Sequence, residues 1–124
     1  MQLFYIGIFG GLGCIARFLI SGWTYHFFGR ELPYGTLLVN VVGSFLLGVL
    51  MAFGLRGSAL PPELRLGLSV GLLGGFTTFS TFSYETIRLI EDGSLWQAGA
   101  NVLLSLLLCL FAALLGVALV RYFG

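Results

Sequence analysis

The sequence predicts an all-α membrane protein with four transmembrane helices, and three observations predict it. Of 124 residues, 58% are hydrophobic and only 9% are charged, against about 25% charged residues in an ordinary soluble domain. Charged and turn-forming residues divide the chain into four apolar blocks, roughly 3–28, 33–55, 64–90 and 95–121. Each is long enough for the ~20 residues that an α-helix needs to cross a hydrocarbon core. The separators Gly29–Pro33, Arg56–Glu63 and Glu91–Ser94 are short, so sequential helices are expected to be antiparallel neighbours in a single domain, 1–124. The N-terminus has no basic n-region and no small-residue cleavage site, so Leu3 onward reads as a mature span of a multi-pass plasma (inner) membrane protein.

Block one carries Gly7, Gly10, Gly11 and Gly13, including the small-xxx-small pair Gly7/Gly11, a pattern of close helix packing in membranes. Arg17 follows, about 20 Å along the helix at 1.5 Å per residue. A guanidinium so deep faces protein, water or an anion, or else snorkels to the headgroups. His26, the sole histidine, lies among aromatics at the block's end and reads as an interfacial residue.

Block two opens with Pro33, tolerated in a helix's first turn. Asn40, Gly43 and Ser44 then share one helical face. The Asn40 amide can donate two hydrogen bonds and accept others. It serves either as glue between helices or as a donor lining a polar pathway.

Block three has Gly67, Gly71 and Gly75 at four-residue spacing, a stripe that admits another backbone and fits a tight symmetric contact. The run Gly74-Gly75-Phe76-Thr77-Thr78-Phe79-Ser80-Thr81-Phe82-Ser83 follows, and its composition is wrong for lipid contact. The glycine pair lowers helix stability there. A helix broken near Gly74–Thr78 leaves backbone groups that only protein, an ion or water can satisfy. Phe79 and Phe82 share a face, as do Ser80 and Ser83, and Thr77 aligns with Thr81.

Block four is the most lipid-like. Asn101 and Ser105 align one turn apart and read chiefly as interhelical glue. Trp96 and Tyr122 read as interfacial anchors.

Six arginines and no lysine face five acidic residues, with no basic patch, so nucleic acid is not an expected partner. Arg56, Arg65 and Arg121 fall on the side of both termini, Arg30 and Arg88 on the other. That weak bias predicts insertion in both orientations, with an antiparallel homodimer as its product. Cys14 and Cys109 sit in apolar stretches, where cysteines behave as small buried hydrophobes.

The strong polar groups inside the spans are donors or hydroxyls: Arg17, Asn40, Ser44, Thr77, Thr78, Ser80, Thr81 and Ser83. Glu85 is the only carboxylate near them, and no Ser/His/Asp or clustered Cys/His set is present. Hydrolysis and metal catalysis therefore lack their parts, and no enzyme is expected. Donors without carboxylates suit an anion, whose hydration energy must be returned by hydrogen bonds or positive potential at each step. Phenylalanine edges are positive and supply such potential in a dry passage.

At these residues the chain resembles the CrcB/Fluc fluoride channels. The resemblance runs through Gly10-Gly11-Leu12-Gly13-Cys14-Ile15-Ala16-Arg17-Phe18, Gly35–Asn40 with Gly43-Ser44-Phe45, and Gly74–Ser83 with Glu85. It implies an antiparallel, dual-topology homodimer in the lipid bilayer with two fluoride pores, exporting cytoplasmic fluoride passively. It also implies a structural sodium ion (Na+) at the dimer centre, held by backbone carbonyls of Gly74 and Thr77. Phe79 and Phe82 would be the fluoride-facing "Phe box", Asn40 a pore donor, Ser80, Thr81 and Ser83 a polar track, and Arg17 a vestibule residue. The family's track also draws on the fourth helix, where this chain has Leu103 and Cys109, so Asn101 and Ser105 are the polar candidates there. A proton-coupled exporter of organic cations would need an intramembrane carboxylate in block one, which carries Arg17 instead. A non-transporting accessory subunit would pass no ion when purified.

Overall fold

The computed structural model describes residues 1–55 and 60–123. Arg56, one arginine of the topology count, and the rest of 56–59 lie outside the described residues. Helix α1 spans Gln2–Phe28 and α2 spans Tyr34–Leu55. The third span is composite, with α3 at Pro62–Leu66, a π-helical stretch at Gly67–Leu73, α4 at Gly74–Phe76 and α5 at Phe79–Glu91. Helix α6 covers Leu95–Phe123. The four expected spans are all present as helices long and apolar enough to cross a membrane.

Punctuation residues set the ends. At Gly29 φ is 80°, a left-handed conformation that costs other residues a Cβ clash, and its N–H closes α1 on the Tyr25 carbonyl at 2.9 Å. Gly93 does the same between α5 and α6, with φ of 79°. Pro62 starts the third span in the first helical turn, where its missing N–H is not needed.

Two helix pairs make the body: α1 against the first half of the third span, and α2 against α6. Glycines decide both contacts. A Cβ on Gly75 would come 2.6 Å from the Gly10 carbonyl oxygen, and one on Gly13 would strike the Leu72 carbonyl. In the second pair, Gly48 lies on the Ala113 carbonyl and Gly116 on the Phe45 carbonyl. The glycine expectations need two corrections. The Gly67/Gly71/Gly75 stripe is taken up by this chain's own α1, with Tyr5, Phe9, Gly10 and Cys14 against it, rather than left for a symmetric contact. The Gly7/Gly11 pair meets nothing within 4 Å among the described residues, because Gly10 and Gly13 occupy the packed face of α1 instead.

Leucines 103, 107, 110 and 114 of α6 are exposed, as a lipid-facing surface requires, and Trp96 and Tyr122 stand exposed near the two ends of the helix.

Candidate functional site

The site is built around the break in the third span. At Thr77 the backbone turns extended (φ −96°, ψ 160°), and Thr78 follows at φ −155°, ψ 114°. The Thr77 N–H and its hydroxyl both still reach the Leu73 carbonyl, each at 3.0 Å. Beyond it the helical ladder fails. The Thr78 N–H, which a continuous helix would send to Gly74, donates to Asn40 Oδ1 at 2.7 Å, and Asn40 Nδ2 donates to the Thr78 carbonyl at 3.0 Å. Asn40 thus fastens both backbone groups of the broken residue to α2. Its glue role is realised directly at the polar passage.

Helix α5 restarts with Thr78 as its N-cap, a residue type whose side-chain oxygen satisfies an early amide. Thr78 Oγ1 accepts from the Thr81 N–H at 3.1 Å and donates to Thr81 Oγ1 at 2.9 Å. The Thr81 amide is thereby diverted from the Thr77 carbonyl. Gly74 and Thr77 are consequently two carbonyls whose helical donors are engaged elsewhere, at the negative end of the α4 dipole. Between them, the Gly75 carbonyl takes the Arg17 Nε–H at 3.0 Å. Arg17 therefore faces protein, not headgroups.

Two cavities meet at this break. One, of about 300 Å³, is lined by Asn40, Ser44, Ser69, Thr77, Thr78, Phe79, Phe82, Ser105 and Cys109 together with leucines and glycines. The other, about 440 Å³, holds Arg17, Tyr25, Arg30, Thr36, Thr78, Thr81 and Glu85 in its wall. Thr78 lines both. In the first cavity the Phe79 and Phe82 rings lie 5.4 Å apart between centroids, tilted at 42°. Phe79 is 74% exposed, so a single chain leaves half of the aromatic pair uncovered. Gly43 is required opposite them, since a Cβ there would strike the Thr77 methyl group.

The remaining expected site residues divide. Ser80 lies within 3.3 Å of Thr78 Oγ1, and the Ser83 hydroxyl donates back to the Phe79 carbonyl at 3.0 Å. Neither lines either cavity. Asn101 is buried and donates to Thr86 Oγ1 at 2.8 Å, while Thr86 donates to the Phe82 carbonyl at 2.8 Å. Ser105 reaches Asn101 Oδ1 at 3.5 Å and also borders the Phe79 cavity. The cysteine expectation holds for neither residue in full: Cys14 is exposed on α1, and Cys109 is half-buried in the wall of the Phe79 cavity.

Sequence reading missed Thr86 and Tyr25. Thr86 stands one turn after Phe82, the spacing that should have linked it to the polar face. The Tyr25 hydroxyl donates to Glu85 Oε2 at 3.2 Å, whereas Glu85 Oε1 is buried with no partner among the described residues. No signal within α1 announces this pairing, which joins residues 60 positions apart. Among the described residues no cluster of His, Cys, Asp and Glu could hold a metal, so cation ligands would have to be backbone or hydroxyl oxygens.

With this geometry in hand, comparison with known proteins is decisive at the level of the family. The profile described as "CrcB-like protein, Camphor Resistance (CrcB)" matches residues 4–117. The chain belongs to this CrcB-like family. Among similar proteins, the "Fluoride-specific ion channel FluC" of Syntrophotalea carbinolica is 60% identical over 121 residues, 98% of each chain. The proteins of the same name from Geotalea daltonii and Geobacter metallireducens are 57% and 58% identical, over 95% and 94% of each chain. The CrcB-like match covers the second and third spans, the first and fourth except for their outer ends, and both cavities, including Asn40, the Thr77–Thr78 break and the two phenylalanines.

Proposed function

We propose that this chain is a fluoride-selective channel that lets cytoplasmic fluoride leave the cell passively down its electrochemical gradient. The observation that carries the reading is the meeting of a guanidinium-bearing cavity and a Phe-lined cavity at one hydroxyl residue, Thr78. Its ion is taken from the relatives named as fluoride-specific channels.

A small anion entering this passage gives up water and must be met by donors at each position. Arg17 gives the larger cavity a positive charge. The hydroxyls of Thr78 and Thr81 offer short polar steps in the cavity walls; Ser80 and Ser83 line neither cavity and would join the track only where a second copy closes over this face. Asn40 has one Nδ2–H beyond the one given to Thr78. The Phe79 and Phe82 edges then present positive potential where no hydroxyl reaches. The near absence of carboxylates disfavours cations along the same route.

The exposure of Phe79 supports a homodimer in which a second, antiparallel copy covers the Phe79 cavity and two pores result. The arginine distribution supports dual topology. Sodium fits the residues present: the Gly74 and Thr77 carbonyls have lost their helical donors, and oxygen ligands at unwound helix ends suit Na+. The ion would supply a fixed positive charge and hold the freed carbonyls.

Liposomes carrying the purified protein are expected to release fluoride once an electrical shunt is added and to retain chloride. Chloride release at a comparable rate, or release of neither ion, overturns the proposal.

A further inference from the structure

Arg30 lies in the loop after α1, directly behind the left-handed Gly29. Its guanidinium carbon stands 4.5 Å from the centre of the Tyr25 ring, within the range of a cation–π contact. Among the described residues no carboxylate pairs with it, so its N–H groups remain available. Arg30 lines the same cavity as Arg17, Thr78 and Thr81, and lines its neighbour of about 330 Å³ as well. The charges around it are few. Glu85 borders both cavities with one oxygen held by Tyr25, and Arg88 and Asp92 lie in the wall of the neighbouring one. A guanidinium held over an aromatic ring by a cation–π contact spends no N–H donor on that contact, so its donors stay free for a small anion.

We infer that Arg30 is the residue that captures the anion at the mouth of the Arg17 cavity, and that the Tyr25 ring positions it there. The inference rests on the fluoride-channel reading and adds an entry step to it. Charge concentrated at a low-dielectric cleft raises the local anion concentration and the rate of arrival, an effect that salt screens. Arg30 therefore acts on entry at low fluoride and leaves passage beyond Thr78 unchanged. Tyr25 has two separable duties, its ring holding Arg30 and its hydroxyl holding Glu85.

The test is fluoride conductance in liposomes or planar bilayers at low and saturating fluoride, at low and high concentrations of an impermeant salt. Arg30→Gln is expected to lower conductance about threefold at low fluoride and low salt, with no change at saturating fluoride or high salt. Arg30→Lys, which keeps the charge and loses the planar fork, restores part of the loss, and Tyr25→Leu reproduces it. A uniform loss at every fluoride concentration, or no loss, overturns the capture role. Loss in Arg30→Gln but not in Tyr25→Leu overturns the positioning role. Wild-type protein that carries no fluoride overturns the parent reading and this one together, and that control is read before any variant.

Discussion

Asn40 Oδ1 lies 2.7 Å from the Thr78 amide nitrogen, and Asn40 Nδ2 lies 3.0 Å from the Thr78 carbonyl oxygen. One side chain on α2 therefore replaces the Gly74 carbonyl that the Thr78 amide gives up when the third span breaks, and adds a second bond at the Thr78 carbonyl, which as the N-cap oxygen already opens the α5 ladder. In a membrane this exchange is what makes the break tolerable, because no water in the hydrocarbon region can take those bonds.

Replacing Asn40 by Leu removes both bonds and leaves the Thr78 amide unpaired, while the Thr78 carbonyl keeps its place at the start of the α5 ladder. A buried group so stranded costs about 1–3 kcal/mol. The expected result is a lower denaturation midpoint in detergent together with loss of fluoride flux. Asn40→Asp keeps the acceptor for Thr78 and adds a negative charge beside the passage; it is expected to retain more stability than Asn40→Leu while still blocking flux. Equal flux in wild type and both variants would remove Asn40 from the pathway.

Phe79→Ile and Phe82→Ile keep apolar volume but discard the positive ring edge. Each is expected to suppress fluoride flux by an order of magnitude or more, about 1.4 kcal/mol per tenfold, while size-exclusion behaviour stays that of the wild type. Unaltered flux in both would show that the aromatic edges play no part.

Asn101→Leu cuts the bond to Thr86 and strands Ser105 from its acceptor. Interhelical side-chain bonds in membranes contribute about 0.6–2 kcal/mol, so a modest drop in thermal midpoint is expected with fluoride-over-chloride selectivity retained. Loss of selectivity would move Asn101 from packing into the ion path.

Gly13→Ala drives a methyl group into the Leu72 carbonyl and is expected to yield aggregated or poorly expressed protein. Gly99 is the contrasting site, on a helical backbone with nothing among the described residues within 4 Å of where an alanine methyl would stand. Gly99→Ala is expected to raise the thermal midpoint, by up to about 1 kcal/mol in helix propensity.

The four spans were readable because each is a long apolar run closed by charge, glycine or proline, and lipid permits few other backbones. The break was readable for a related reason: hydroxyls and a glycine pair inside such a run, at Gly74–Thr78, contradict it. What escaped was partner choice. Nothing in a one-dimensional pattern distinguishes Gly10 and Gly13, which meet the third span, from Gly7 and Gly11, which do not; a rotation of about 100° per residue decides the face. Nor does the pattern reveal seven residues of π-helix from Gly67 to Leu73 or the Tyr25–Glu85 bond across the bundle. Asn40 reads from the sequence as glue or a pore donor, yet its partners are a backbone amide and carbonyl, groups that no sequence letter marks.

The clasp also orders events in time. During synthesis α2 enters the bilayer with Asn40 before Thr78 has been added to the chain, so for that interval the amide has no Thr78 to hold. When the third span arrives, the break at Thr78 is complete only once α2 lies beside it, because the acceptor for the Thr78 amide is on α2. Closure of Asn40 on Thr78 therefore follows the docking of the third span against α2, and a third span lodged elsewhere leaves the asparagine and the Thr78 amide without each other.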